Sequence, residues 1–146
     1  MTTYTPTSQA TIPIQATNQI QVRHVYKIFG QQQQVAAALK MAQAGTNKAN
    51  VLAQTNCNLG LCDVSLDIPG SQIFVIMGLS GSGKSTLVRH FNSLIQATAG
   101  EILIGGKDVV KLTEDGLRSL RREKISMVFQ SFGLLPHKTV LENVAF

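Results

Sequence analysis

The sequence has few charged residues and no long apolar run, and each shortage argues against a class of protein. Charged side chains make up 14% of the 146 residues, against about 25% in an average soluble domain. This low share argues against a charge-rich disordered chain and against a long coiled coil. No stretch approaches the roughly 20 apolar residues of a transmembrane helix, so we expect the chain not to cross a bilayer. The N-terminus also lacks the basic start and apolar run of a signal peptide.

Cysteine is scarce as well. Cys57 and Cys62 have neither a second cysteine pair nor a histidine nearby, which argues against a zinc site and a disulfide scaffold. We therefore expect two reduced thiols. Apolar residues account for 44% of the chain and glycines number 12, as in a globular domain. The net charge of +5 suits an anionic partner, whether nucleic acid, phospholipid or nucleotide phosphate.

Composition divides the first part of the chain into three segments. Residues 1–19 carry no charged side chain and are predicted to be a flexible leader. From residue 20, IQVRHVYKIF is typical of a strand. Residues 31–60 hold two alanine-, asparagine- and glutamine-rich stretches that predict helices, the first of them ending at Gly45.

Strand patterns recur further along the chain. CDVSLDI at residues 62–68 predicts a strand. IFVIM at residues 73–77 is apolar on both faces, which is typical of a central parallel strand covered on both sides. EILIGGKDV predicts a hairpin that turns at Gly105 and Gly106, and KISMVFQ at residues 124–130 predicts another short strand.

Helical patterns lie between and after these strands. Residues 85–95 have helical spacing, and one face carries Leu87, Phe91, Leu94 and Ile95. Thr113 is a predicted N-cap for a helix that has acids in its first turn and basic residues late. Residues 139–146 predict the start of a further helix.

The strongest functional signal is the segment GLSGSGKST at residues 78–86. It fits G-x-x-x-x-G-K-[ST], directly after an apolar run and directly before a helical pattern. In such a P-loop, backbone N–H groups and the helix N-terminus surround nucleotide phosphates. The segment therefore predicts nucleotide binding, without choosing among transport ATPases, small-molecule kinases and GTPases.

Each residue type in the P-loop has a chemical reason. Side chains in place of the glycines would obstruct the approach of the phosphates. Lys84 would supply a positive charge to the β- and γ-phosphates, and the Ser85 hydroxyl would ligate Mg²⁺. The predicted nucleotide-binding residues of this segment are Gly78, Ser80, Gly81, Ser82, Gly83, Lys84, Ser85 and Thr86.

Three segments together resemble the ATP-binding subunits of ABC transporters: IFVIMGLSGSGKSTLVRHFNSLI, GEILIGGKDVVKL and LRREKISMVFQSFGLLPHKTVLENVAF. More narrowly, they resemble the branch that takes up glycine betaine, proline and other quaternary amines, which has an insertion similar to residues 31–60. The resemblance implies a P-loop NTPase of the α/β class with antiparallel strands near its N-terminus. It assigns residues 20–146 to the N-terminal part of an ATP-binding domain.

The same resemblance implies roles for further residues. Gln130 matches the Q-loop glutamine, so the implied catalytic residues are Lys84 and Gln130 and the implied Mg²⁺ ligands are Ser85 and Gln130. Phe29 matches the aromatic residue that stacks on adenine. The residues after Gln130 match the segment that contacts a transmembrane permease subunit. The implied cofactors are ATP and Mg²⁺.

The resemblance also implies a setting for the chain. It implies a second ATP-binding subunit as a further partner and a cytoplasmic position on the inner face of the cell membrane, held there through the permease. Nucleic acid is not an expected partner, because the basic run at residues 118–124 contains Glu123 and no aromatic residue. No catalytic role is predicted for His24, His90 or His137.

Elements of the resembling family are missing after Gln130. Glu142 is the only acid there, and no Asp-Glu strand end, LSGGQ-like signature or later switch histidine follows. In the family those residues position Mg²⁺ and the attacking water. We therefore hypothesise that the chain is the front part of a longer ATPase, with an incomplete parallel core sheet and exposed strand edges.

Three interpretations stay open at the level of sequence. The first is the ATP-binding part of the energising subunit of a glycine betaine/proline-type importer. The second is a non-catalytic nucleotide-binding or partner-docking fragment. The third is a guanylate-kinase-like nucleotide kinase, which fits less well because about 70 residues precede the P-loop.

Overall fold

The computed structural model describes residues 18–129 and 133–145. Its elements in chain order are β1 (Asn18–Phe29), α1 (Gln32–Gln43), α2 (Lys48–Thr55), β2 (Asn58–Pro69), α3 (Lys84–Phe91), β3 (Ala99–Ile104), β4 (Lys107–Asp108), α4 (Glu114–Glu123) and α5 (Val140–Val144). This mixture of helices with a sheet confirms the α/β prediction. Within the described ranges, no helix has the length and apolar character that crossing a bilayer requires.

Strand β1 lies inside a four-stranded sheet of order β2-β1-β3-β4. It pairs antiparallel with both neighbours, and its last residue, Phe29, lies opposite Asn58 of β2. The antiparallel strands expected near the N-terminus are thus confirmed. The predicted leader is two residues too long, because Asn18 and Gln19 belong to β1. Its remaining residues, 1–17, lie outside the described part of the chain.

Strands β3 and β4 form the predicted hairpin. Gly105 and Gly106 have φ values of +54° and +78°, and a two-residue turn of this kind requires positive φ at both positions. Strand β2 begins at Asn58, earlier than its sequence pattern predicts. Gly60 therefore lies inside a strand that is paired with β1.

The helices predicted in residues 31–60 are confirmed as α1 and α2. The side chain of Asn47 caps α2 by accepting a hydrogen bond from the N–H of Asn50 at 2.9 Å. Thr113 caps α4 as predicted, accepting from the N–H of Gly116 at 3.3 Å. Helix α5 begins with a capping box, in which Thr139 and Glu142 bond each other's backbone N–H groups.

Helix α3 is shorter than its sequence predicts. It ends at Phe91, because the N–H groups of Leu94 and Ile95 both turn back to the carbonyl oxygen of Arg89. Leu87 and Phe91 are buried as predicted, whereas Leu94 is 49% exposed. The buried face of α3 is therefore limited to its two turns after the P-loop.

Buried apolar side chains form two clusters that meet along β1. The first contains Val22 and Val25 of β1, with Leu61, Leu87, Phe91, Ile102, Ile104, Val109 and Leu120. The second contains Tyr26 and Ile28, with Ala38, Ala42, Val51, Cys57 and Leu59. Helices α1 and α2 therefore pack against the end of β1 that carries Phe29. Cys57 is buried, Cys62 is exposed, and both thiols are free as predicted.

Two predicted strands do not form. Residues 73–77 and 124–129 are outside the sheet, and Ile73 and Val128 are 95% and 96% exposed. A parallel strand needs a neighbour that supplies hydrogen-bond partners, and no described strand takes that position. The prediction of a covered central strand at residues 73–77 is therefore wrong, while the expectation of an incomplete parallel sheet agrees with the structure.

Valine-to-alanine substitutions should separate the core from the exposed segments. We expect Val22→Ala, at a fully buried position, to lower the free energy of unfolding by about 2 kcal/mol, because it removes buried methyl groups and leaves a cavity. The matched Val128→Ala should change it by less than about 0.5 kcal/mol. Urea unfolding of both variants measures the difference, and equal effects would contradict the assignment of the core.

Candidate functional site

Phe29 and the P-loop line one cleft of about 320 Å³. The P-loop leads into α3, and Phe29 ends β1, so the two parts come from chain segments about 50 residues apart. From the predicted set, the cleft is lined by Phe29, Ser80, Gly81, Gly83, Lys84, Ser85 and Thr86. Three further lining residues are not singled out by the sequence pattern: Lys48, Asn58 and Gly60. The volume lies in the range typical of small-molecule sites.

The first turn of α3 forms one wall of the cleft. Its N-cap, Gly83, has a φ of +94° and makes no side-chain cap hydrogen bond. The first N–H groups of a helix have no acceptor within the helix, and they lie at the positive end of the helix dipole. Lys84, Ser85 and Thr86 present this turn to the cleft, so the wall suits the phosphate groups of a nucleotide.

The Lys84 ammonium lies inside the curve of the P-loop. Its Nζ donates hydrogen bonds to the carbonyl oxygens of Gly78 at 2.8 Å and Leu79 at 2.6 Å, and to the Ser82 hydroxyl at 3.4 Å. Gly78 and Ser82 do not line the cleft, but both contact the lysine that does. These contacts fix the predicted cation next to the first turn of α3.

Gly60 of β2 lies against both parts of the site. A Cβ atom at Gly60 would be 2.6 Å from Cε2 of the Phe29 ring, and a Cβ atom at Gly83 would be 2.7 Å from the Gly60 carbonyl oxygen. Both distances are too short for a real Cβ atom. The aromatic ring and the P-loop are therefore packed directly on the backbone of β2, which sets their separation.

Phe29 keeps an exposed surface while being held from two sides. Lys27 places its Nζ 5.1 Å from the ring centroid, a cation–π contact, and donates to the Gln96 carbonyl oxygen at 2.9 Å. Partial burial lowers the pKa of Lys27. The Phe29 ring remains 42% exposed, so it offers a surface on which a nucleotide base could stack.

His90 anchors α3 beneath the P-loop. It is fully buried, and its Nδ1 lies 2.6 Å from the carbonyl oxygen of Thr86, so Nδ1 carries the proton and donates. Burial lowers the pKa of His90, and Nε2 has no hydrogen-bond partner among the described residues. Burial therefore favours the neutral form of the His90 imidazole.

The predicted Mg²⁺ ligands are only partly described. Ser85 lines the nucleotide-sized cleft and also a neighbouring cleft of similar volume, which Arg89 and Phe129 share. Gln130 lies outside the described residues, so its predicted catalytic and metal-binding roles stay predictions. The described residues contain no group of three His, Cys, Asp or Glu side chains able to hold a metal ion.

A sequence signal for Gly60 is present in NLGLCDVSL. An isolated glycine in a strand pattern indicates a close approach by another backbone or side chain, and Gly60 has two such approaches. Lys48 and Asn58 have no comparable signal, because only the packing of α2 and β2 brings them to the cleft.

Comparison with known proteins connects this site to one family. Residues 61–145, more than half of the chain, match the family model described as ABC transporter. The glycine betaine/proline betaine transport system ATP-binding protein of Salmonella typhimurium is 52% identical over 127 residues, which are 87% of this chain and 31% of that protein. The glycine betaine transport ATP-binding protein of Bacillus subtilis is 48% identical, over 87% of this chain and 30% of that protein.

Solved structures show the same relationship. A dimeric ATP-binding cassette in a post-hydrolysis state, bound to ADP and Pi, superposes with a TM-score of 0.66 and 31% identity, covering 86% of this chain and 44% of that one. A dimeric bacterial ABC transporter cassette gives the same TM-score at 32% identity. The chain spans about a third of the length of the curated relatives that it matches.

Substituting Gly60 should weaken nucleotide binding through the position of Phe29. We expect Gly60→Ala to lower nucleotide affinity about tenfold, because the new methyl group would displace the Phe29 ring, and stacking of a base on an aromatic ring contributes about 1–3 kcal/mol. Isothermal titration calorimetry measures the affinity. Gly116→Ala in α4, which is remote from the cleft, is the control and should bind as the unmodified chain does. Unchanged affinity in Gly60→Ala would show that residue 60 does not position the ring.

The buried His90 predicts a dependence of stability on pH. Because the pKa of His90 is lower in the folded chain than its ordinary value of 6.5, the unfolded chain binds the additional proton first as the pH falls. The free energy of unfolding should therefore decrease below about pH 6.5. Urea unfolding between pH 5 and 8 measures this slope, which should become shallower in His90→Gln. The same slope in both proteins would contradict the assignment.

Proposed function

The chain belongs to the ABC transporter family of ATP-binding proteins, and we propose that it binds ATP with Mg²⁺ in the cleft between Phe29 and the P-loop. The observation that carries this proposal is the shared cleft. It brings an exposed aromatic ring, a lysine and a helix N-terminus together, and none of the described residues that line it is acidic. A base, a positive charge for phosphates and backbone donors are the contacts that a nucleoside triphosphate requires.

The proposed orientation of ATP follows from the two ends of the cleft. Adenine stacks on the exposed surface of Phe29, and the phosphates lie at the P-loop and the first turn of α3. Lys84 contacts the β- and γ-phosphates, while Thr86 lies at the α-phosphate. Gly60 forms the floor between them, since it contacts both Phe29 and Gly83.

The fit of this chain to Mg²⁺ rests on the Ser85 hydroxyl, an oxygen ligand of the kind that this ion prefers. Ser85 lies in the first turn of α3, within the cleft that we assign to the phosphates. Gln130 is the second proposed ligand. When bound, Mg²⁺ would neutralise phosphate charge in this site, and the Ser85 hydroxyl would help to hold it.

We also propose a role for the complete protein. Relatives named as glycine betaine and proline betaine transport ATP-binding proteins support an importer subunit that couples ATP hydrolysis to osmoprotectant uptake. The dimeric neighbours support a second ATP-binding subunit as a partner. Such a subunit would lie on the cytoplasmic face of the membrane, bound to a permease.

The proposed permease contact is the segment after Gln130. Helix α5 presents exposed apolar side chains at Val140, Leu141 and Val144, and its capping box fixes where it begins. Exposed apolar surface on a short, well-capped helix is suited to a protein partner. The segment thus has the chemistry that docking requires.

Removing the P-loop cation tests the proposed ATP site. We expect Lys84→Ala to weaken MgATP binding about 100-fold, because hydrogen bonds to charged groups contribute roughly 1.5–3 kcal/mol and Lys84 would contact two phosphates. Titration calorimetry with MgATP measures the loss. Lys40→Ala on α1, an exposed lysine that does not line the cleft, removes the same charge elsewhere and should bind normally. Equal affinities of the two variants would contradict the proposal.

A further inference from the structure

We infer that Lys48, the first residue of α2 in the helical insertion, is a second phosphate-binding cation of the nucleotide site. This inference rests on the proposed function, because it assigns a further residue to the same ligand. Lys48 and Lys84 are the charged residues among those that line the cleft. They reach it from separate elements, one from residues 31–60 and the other from the P-loop.

The local structure of α2 gives no reason for a lysine at this position. Lys48 is the first residue of the helix, and the first turn of α2 contains no acid. A positive charge there is opposed by the helix dipole, which favours negative charge at a helix N-terminus. The Asn47 cap already satisfies one backbone donor of this turn. Lys48 therefore makes α2 slightly less stable than an uncharged residue would.

Nor does the surrounding structure compensate the charge. Within the described ranges Lys48 forms no ion pair, whereas Arg23, Lys111 and Arg118 each have a carboxylate partner. In the part of the chain that the structure describes, no acidic residue lines the cleft that Lys48 faces. Two ammonium groups that face one cleft repel each other. A polyphosphate bound between Lys48 and Lys84 would attract both ammonium groups and offset that repulsion.

The backbone of α2 is held firmly enough to place this side chain. Val51 is fully buried in the second cluster, together with Tyr26 and Ile28 of β1. At the other end of the helix, the Thr55 hydroxyl donates to the Val51 carbonyl oxygen at 2.6 Å and accepts from the N–H of Cys57 at 3.3 Å. The insertion is thus packed on the same strand that carries Phe29, and Lys48, the first residue of α2, lines the cleft.

Asn58 is a polar residue of the same cleft and lies next to Phe29. It is the first residue of β2, it lies opposite Phe29 in the sheet, and it lines the cleft with Lys48. Asn58 therefore adds a neutral amide to the cleft, and Lys48 adds a positive charge to it. A ligand with charge on its phosphates gains from Lys48, whereas one without phosphates does not.

Binding of ATP, ADP and adenosine to the 146-residue chain tests the inference. We expect Lys48→Ala to weaken ATP binding about tenfold and ADP binding by less, and to leave adenosine binding unchanged. Lys48→Arg should retain affinity within about threefold, and Lys40→Ala on the same insertion should match the unmodified chain. Thermal unfolding should show that Lys48→Ala is at least as stable as the unmodified chain, because the change removes an unfavourable charge from the α2 N-terminus.

The outcomes separate this inference from the proposed function. ATP binding that is unchanged in Lys48→Ala but lost in Lys84→Ala would overturn the role of Lys48 and leave the ATP site intact. An equal loss in Lys40→Ala, or an equal loss of adenosine binding in Lys48→Ala, would overturn it as well, because the effect would not be a phosphate contact. If the unmodified chain bound no ATP, both would fail.

Discussion

The close contact of the P-loop and Phe29 with the backbone of Gly60 is the constraint on which the rest of the site depends. Because β2 approaches Gly83 from one direction and the aromatic ring from another, a single strand sets the distance between the two ends of the cleft. Side chains could not produce this arrangement, since no Cβ atom fits at either contact. The shape of the proposed nucleotide site thus depends on two glycines and an antiparallel strand pair.

Strand β1 connects the site to the rest of the described chain, because it contributes residues to both buried clusters. Its first half belongs to the cluster that contains α3 and α4, and its second half belongs to the cluster that contains α1 and α2. The helical insertion is therefore part of the architecture of the site and not an appendage. Packing of the insertion on β1 brings Lys48 to the cleft and holds the end of β1 at which Phe29 lies.

Sequence alone predicts the parts of this structure that are specified locally. The P-loop, the hairpin at Gly105 and Gly106 and the Thr113 cap of α4 each follow from a few adjacent residues. Residues 73–77 could not be predicted in this way, because an apolar run becomes a strand only when a neighbour pairs with it. Lys48 and Gly60 likewise depend on packing between distant segments. The proposed stacking role of Phe29 rests on family resemblance, because an aromatic residue that ends a strand is usually core.

The hydrogen bonds of Lys84 within the P-loop have a thermodynamic consequence. Its ammonium is already held by Gly78, Leu79 and Ser82, so its conformational entropy is lost during folding and the side chain is preorganised for a ligand. Lys48 has no such contacts among the described residues, and in the inferred phosphate contact it would lose its rotamer freedom at a cost of up to about 2 kcal/mol. Of the two lysines, Lys84 would therefore contribute more to affinity. The attraction between Lys48 and a phosphate would be partly offset by the conformational entropy that the Lys48 side chain loses on binding.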